Sequence, residues 1–123
     1  MSGSMIFNLV LGVFVVWMVY NMVRPIKGMT SLGAAEFKKR LAENKSAMLI
    51  DVREPHEFRG GSIPKAVNMP LSSLRSQLAN IPMDREVFVY CKSGMRSKKA
   101  AALISKAGHR QIVNLQGGIL SLK

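Results

Sequence analysis

Val87-Phe88-Val89-Tyr90-Cys91-Lys92-Ser93-Gly94-Met95-Arg96-Ser97 is the stretch on which the reading of this chain turns. Four strand-forming residues run into the only cysteine, and a short loop with two cations, a hydroxyl and a glycine follows. From Ser97 to Ala107 the apolar residues Ala100, Ala101, Leu103, Ile104 and Ala107 recur at a helical period, and Gly108 closes the segment. A strand-loop-helix of this kind aims backbone N–H groups and the positive end of a helix dipole at one point. Cys91 stands at that point. A free thiol ionises near pH 8.5, and a helix N-terminus with nearby cations lowers that value. Lys92 and Arg96 supply the charge, and Gly94 lets the loop amides curl into an anion nest. Cys91 is therefore the candidate nucleophile.

Outward from this stretch, strands alternate with helices. Ala47 to Val52 is a continuous apolar run, as buried parallel strands are. It passes through Asp51 and Arg53 into a helical turn at Glu54–Phe58. Gly60 to Pro64 is a turn-rich link, Ala66–Asn68 a short strand, and Leu71–Ala79 a helix with Leu71, Leu74 and Leu78 on one side. Glu86–Tyr90 and Gln111–Leu115 are further strands. Before them, Pro25–Met29 reads as a first strand. Ser31 then caps a helix to about Glu43, with Leu32, Ala35, Leu41 and Ala42 facing inward. The sum is an α/β fold with a parallel sheet covered on both faces. In such sheets ligands gather at the carboxyl ends of strands, where Asp51-Val52-Arg53 and the Cys91 loop both lie.

The first 23 residues carry no charge. From Met5 to Val23 they are almost wholly apolar, and a helix over 5–23 spans roughly 28 Å, close to a bilayer core. A buried soluble helix would keep a polar face, and a signal peptide a basic start and a small-residue cleavage site. Neither is present. Residues 1–4 read as a tail resembling a cloning remnant before a start at Met5. Residues 5–23 read as a transmembrane helix, 24–30 as a linker with the first strand, and 31–123 as one further domain. Arg24 and Lys27 follow the span directly, so the positive-inside rule places the C-terminal domain in the cytoplasm of a single-pass protein of a bacterial inner membrane. The Lys38-Lys39-Arg40 run reads as a solvated helix face.

Composition narrows the rest. Formal charge is +11, yet 48% of the residues are hydrophobic, which favours a packed core over disorder. No basic stripe interleaved with aromatics and no nucleic-acid-reading motif appears, so nucleic acid is not the expected partner. One cysteine excludes an internal disulfide and multi-cysteine zinc patterns, and neither His56 nor His109 has zinc-site spacing to it. No metal or other cofactor is expected.

Cys91-Lys92-Ser93-Gly94-Met95-Arg96-Ser97 resembles the active-site loop of rhodanese-type sulfurtransferases. Leu49-Ile50-Asp51-Val52-Arg53-Glu54-Pro55-His56-Glu57-Phe58, the link from Gly61 to Leu71, and Gly117-Gly118-Ile119 match the same family in order and rough spacing. The likeness covers about Ile26 to Leu122. It implies a rhodanese-like five-stranded parallel sheet flanked by helices on both faces. It also implies transfer of sulfane sulfur from thiosulfate or a similar small anion, through a covalent Cys91 persulfide, to a thiol or protein acceptor. On this likeness the amides of Lys92, Ser93, Gly94, Met95, Arg96 and Ser97 cradle the persulfide, and Lys92 and Arg96 hold the anion. Asp51 braces the loop, Arg53 serves structure, and Arg59 lines the pocket entrance. His56 is an exposed turn residue, and His109 complements the preceding helix's C-terminus.

Departures from the family pattern are few. Lys92 stands where arginine is frequent, exchanging a bidentate fork for a point charge. Ser62 and Lys65 replace a common histidine and glycine, read here as neutral changes. Leu122 takes a usual tryptophan's place, and the short terminus leaves an apolar face for the membrane, the anchor's neighbours or a second copy in a homodimer. A related cysteine-loop phosphatase or arsenate reductase would carry Cys-x5-Arg, whereas four residues separate Cys91 from Arg96. A non-catalytic rhodanese-like binding module of a membrane complex is the reading from another class.

Overall fold

The computed structural model describes residues 2–123, so Met1 of the expected tail lies outside it. The chain opens with α1 (Gly3–Val23), then β1 (Met29–Leu32), α2 (Ala34–Glu43), β2 (Met48–Asp51), α3 (Pro55–Arg59) and β3 (Val67–Asn68). A 3-10 helix (Leu71–Asn80), β4 (Val87–Tyr90), α4 (Met95–Lys106), β5 (Ile112–Leu115) and a 3-10 turn (Ile119–Leu122) complete it. The five strands form one parallel sheet in the order β1-β5-β4-β2-β3.

Strand periodicity divides the core in two. Side chains alternate across a strand, so Val87, Val89 and Cys91 face α4 and the Leu71–Asn80 helix, together with Ile50, Ile112, Ala100, Ile104 and Leu74. Phe88 and Tyr90 face the other way, with Leu49, Val113, Leu115 and Phe37 of α2. Phe37 and Phe88 meet edge to face at 5.3 Å, a favoured aromatic geometry. The cysteine therefore lies on the α4 face because it is two residues beyond Val89.

Several expected boundaries move. Ser31 is not a helix cap but the third residue of β1, whose first strand lies later than Pro25–Met29; Gly33 is the residue at the N-cap of α2. The extended chain is retained there because β1 pairs with β5, Ser31 opposite Asn114. Ala35 and Ala42 are exposed, and the fully buried residue of α2 is Phe37. Leu71–Asn80 is 3-10 rather than α-helical, with Leu74 its one buried residue. Lys65 is not a neutral replacement: its φ is +73°, a left-handed conformation that a side chain disfavours and glycine accepts. The apolar face expected to lie open after the short terminus is covered in part by Ile119 and Leu122, which pack against the Phe88 cluster. Large apolar side chains exposed outside α1 are, among the described residues, Val67, Met83, Met95 and Leu120, from four separate segments.

α1 is 21 residues long and carries no buried residue. It begins at Gly3, two residues before the Met5 start expected of the span, and so takes in Gly3 and Ser4. The helix is long and apolar enough to cross a membrane.

Candidate active site

Every strand of a parallel sheet delivers its C-terminal end to one side of the domain. Cys91 follows β4 directly and is 1% exposed. The Gly94 amide donates to Cys91 Sγ at 3.0 Å, and the Cys91 thiol donates to Ser97 Oγ at 3.5 Å. Gly94 has φ +106° and immediately precedes α4, so the chain reverses there and its amide turns inward. The Ser97 hydroxyl donates to Asn114 Oδ1 at 2.6 Å, with the Gly94 carbonyl 3.1 Å away as a second acceptor. Asn114 Nδ2 in turn donates to Ser31 Oγ at 3.3 Å.

Burial pushes the Cys91 thiol up. Hydrogen bonds from the Ser97 hydroxyl and from the amides of Ser97, Gly94 and Ser93 outweigh it, and the net shift is downward. The loop amides act as expected, and the largest of the lowering causes is the Ser97 hydroxyl rather than a cation. Arg96 is bonded elsewhere. Arg96 makes a two-point ion pair with Glu57, Nη1 to Oε1 at 2.7 Å and Nη2 to Oε2 at 3.0 Å. That hydrogen-bonded pairing lowers the Glu57 carboxyl to about 2 and raises Arg96. Glu57 also accepts from the Glu54 amide at 3.1 Å, tying the α3 turn to the cysteine loop. Lys92 is exposed and has no ion-pair partner among the described residues, so it is the loop cation available to an anion.

Two turns hold the loop from outside. Ile119 N–H donates to the Cys91 carbonyl at 2.8 Å and Leu120 N–H to the Lys92 carbonyl at 3.2 Å. Gly118 has φ +66°, and a Cβ there would overlap the Lys92 carbonyl, so this close backbone approach requires glycine. Asp51 is fully buried, and Arg53 donates to it through Nη2 at 2.8 Å and through its amide at 2.9 Å. The same Nη2 reaches the Gly61 carbonyl at 2.6 Å, and Arg53 lies 5.7 Å from the centre of the Tyr90 ring. Bonding to Asp51 raises Arg53, and burial pushes the Tyr90 hydroxyl up to about 12. Asp51 thus acts on its own turn through Arg53, and it stands beside Tyr90, its register partner, which leads into the cysteine loop.

Beside the loop opens a cavity of about 400 Å3, walled by Arg53, His56, Glu57, Lys92, Leu120 and Lys123 among others. Arg59 is exposed and is not on that wall, contrary to its expected place at the entrance. Ser93 and Met95 are exposed and contribute to the loop through the backbone. His109 is 3% exposed with no partner on either ring nitrogen, and burial lowers its pKa. Burial thus disfavours the imidazolium expected to complement the helix C-terminus. Asn114 and Glu57 were missed. Strand parity could have exposed Asn114, a polar residue two positions from Ile112 on a buried face; Glu57 carried no local signal.

A parallel α/β domain that presents a lone, hydrogen-bonded cysteine at a strand end defines a class of cysteine-loop proteins. Within that class, a sequence model described as Rhodanese-like domain matches residues 33–123, and the chain belongs to this family. An uncharacterised protein of Bacillus subtilis is 39% identical over 116 residues, covering 94% of this chain and 90% of the relative. A protein named Sulfurtransferase from Allochromatium vinosum is 36% identical over 73% of this chain and 84% of its own. The crystal structure of a rhodanese-related protein from Thermoplasma volcanium superposes with a TM-score of 0.67 at 36% identity, covering 74% of this chain and 87% of that one. A human single-domain sulfurtransferase gives 0.67 at 27% identity over 75% and 93% of the two chains.

Proposed function

We propose that the protein is a membrane-anchored sulfurtransferase that moves sulfane sulfur from thiosulfate, or an anion like it, to a thiol or protein acceptor. The observation that carries the reading is the setting of Cys91 Sγ, which accepts from the Gly94 amide at 3.0 Å and lies 3.5 Å from the Ser97 hydroxyl at the mouth of α4. The Cys91 thiolate attacks the outer sulfur of thiosulfate. The sulfur–sulfur bond of the donor breaks, and sulfite leaves with the electron pair. The terminal sulfur of the resulting persulfide takes over the negative charge that the loop amides stabilise. An acceptor thiolate then attacks that sulfur, and Cys91 leaves as the thiolate it was. Lys92 attracts the anion. With no second cysteine in the chain, the persulfide is discharged to another molecule. The cycle balances without a metal or redox cofactor.

For the anchor, support comes from the uncharged, wholly exposed α1, about 32 Å long by its 21 residues. The match to the B. subtilis relative spans 94% of this chain and so takes in most of α1, which supports the helix as a shared part of the two chains. The positive-inside rule puts the domain in the cytoplasm.

Thiosulfate should add about 32 Da to the intact protein, one sulfur atom on the thiolate, and Cys91→Ser should abolish both adduct and thiocyanate formation from cyanide. The near-complete burial of Cys91 favours a second reading, a non-catalytic binding module. No adduct from any sulfane donor would establish that reading. Turnover of an aryl phosphate would instead point to a phosphatase.

A further inference from the structure

The end of the domain opposite Cys91 is basic, and the chain ties it to α1 with almost no slack. α1 ends at Val23, and the Arg24 amide still donates to the Tyr20 carbonyl. From there the chain enters the domain at once. Ile26 packs against the core, the Lys27 carbonyl accepts from Ser105 Oγ at 2.6 Å, and the Gly28 carbonyl accepts from the Ile112 amide at 2.9 Å. Gly28 lies so close to the Arg110 backbone that a Cβ would stand 2.7 Å from its Cα. Only Arg24 and Pro25 are left as a free tether, and the three residue steps from Val23 to Ile26 span about 10 Å at full extension.

The segments at this end are those that precede β1, β2, β4 and β5. Across 24–28, 43–47, 81–86 and 106–111 they carry Arg24, Lys27, Lys45, Arg85, Lys106 and Arg110 against three carboxylates, Glu43, Asp84 and Glu86. Arg40 takes Glu86 at 2.7 Å, which leaves Glu43 and Asp84. Lys27, Lys45, Lys106 and Arg110 are exposed. So is Met83, 63% open to solvent and beside Gly108.

We infer that this strand-N-terminal end of the domain is a docking face for the anionic phospholipid headgroups of the membrane that α1 spans, and that it holds the Cys91 mouth pointing away from the bilayer. The inference rests on the anchor reading above. A tether of about 10 Å keeps the point where the chain enters the domain within about one screening length of the headgroups, which is about 8 to 10 Å near physiological salt. Cys91 lies at the other end of the sheet. The four residues of β4 alone add about 13 Å, which places the loop beyond that range. In this orientation the sulfur donor and acceptor reach the site from the aqueous side.

The test uses the full chain in nanodiscs whose headgroups carry a gadolinium chelate. In discs containing phosphatidylglycerol, the amide signals of Lys27, Lys45, Met83 and Gly108 should broaden strongly while those of Lys92, Gly94 and Gly117 stay sharp. The contrast should fall toward equality in the triple variant Lys27→Glu/Lys45→Glu/Lys106→Glu, in discs of phosphatidylcholine alone, and at about 1 M salt, where the screening length is about 3 Å. An inserted chain whose cysteine loop broadens as much as Lys106, or whose contrast ignores headgroup charge, overturns the docking face alone. A chain that alkaline carbonate strips from vesicles overturns the anchor and this orientation together.

Discussion

The Ser97 hydroxyl has one proton and three claimants: Asn114 Oδ1 at 2.6 Å, the Gly94 carbonyl at 3.1 Å and, once ionised, Cys91 Sγ at 3.5 Å. While Cys91 is a thiol, its own hydrogen points to Ser97 and the hydroxyl serves Asn114. Ionisation requires the hydroxyl to turn toward sulfur and give up a carbonyl acceptor. Removing either partner must therefore move the thiol midpoint, and in opposite directions. Ser97→Ala deletes a donor to an anion. Such bonds are worth about 1.5–3 kcal/mol, and at 1.36 kcal/mol per pH unit the low end suits a contact as long as 3.5 Å. The midpoint should rise by about one unit. Asn114→Val deletes the competitor, which stabilises only the thiol state, so the midpoint should fall by a few tenths of a unit to about one. Ser97→Thr keeps the hydroxyl and should lie near the parent. The chain has one cysteine, so thiolate absorbance against pH, checked by the pH dependence of the iodoacetamide rate, reads this group alone. Circular dichroism confirms that each variant is folded. If Ser97→Ala and Asn114→Val move the midpoint the same way, or if neither moves it, the hydroxyl is not what holds the sulfur ionised.

Acid stability should carry the signature of the Glu57–Arg96 pair. The folded carboxyl sits at about 2 against an ordinary 4.5, so its contribution is fully present above pH 4.5 and is lost as pH falls toward 2. Arg96 is 35% exposed in its side chain, and screening at that exposure limits the pair to about 1 kcal/mol. Glu57→Gln should remove that increment at neutral pH and flatten denaturant stability between pH 5 and 2, by about the same amount; an unchanged acid limb would refute the pairing. Lys65→Gly relieves the left-handed φ of +73° and should raise stability by on the order of 1 kcal/mol, read from the urea midpoint. A lower midpoint would mean that the Lys65 side chain makes up for its backbone.

What was legible in the sequence was mostly what is local. The strand-loop-helix around Cys91, the apolar runs of β2 and β4, the helical period of α4 and the uncharged first helix each announce themselves within a dozen residues, because periodicity and glycine placement are properties of a short window. Ser31 misled for the same reason. Its hydroxyl suits a helix cap, and only the pairing of β1 with β5, 83 residues away, makes it a strand residue bonded to Asn114. Lys65 likewise reads as an ordinary surface residue until its φ is known.

The sequence alone determined that a single cysteine would stand at a strand end before a helix, with two cations in the loop that follows it, after an apolar helix free of charge. Tertiary structure decided which groups act on the sulfur. It sent Arg96 to Glu57 across 39 residues, brought Asn114 of β5 onto Ser97, and pressed Gly118 against the Lys92 carbonyl. These are contacts between segments far apart in the chain, and no local pattern encodes them. They exist because parallel strands carry their following loops to one end of the sheet, where the order β1-β5-β4-β2-β3 sets which loops become neighbours.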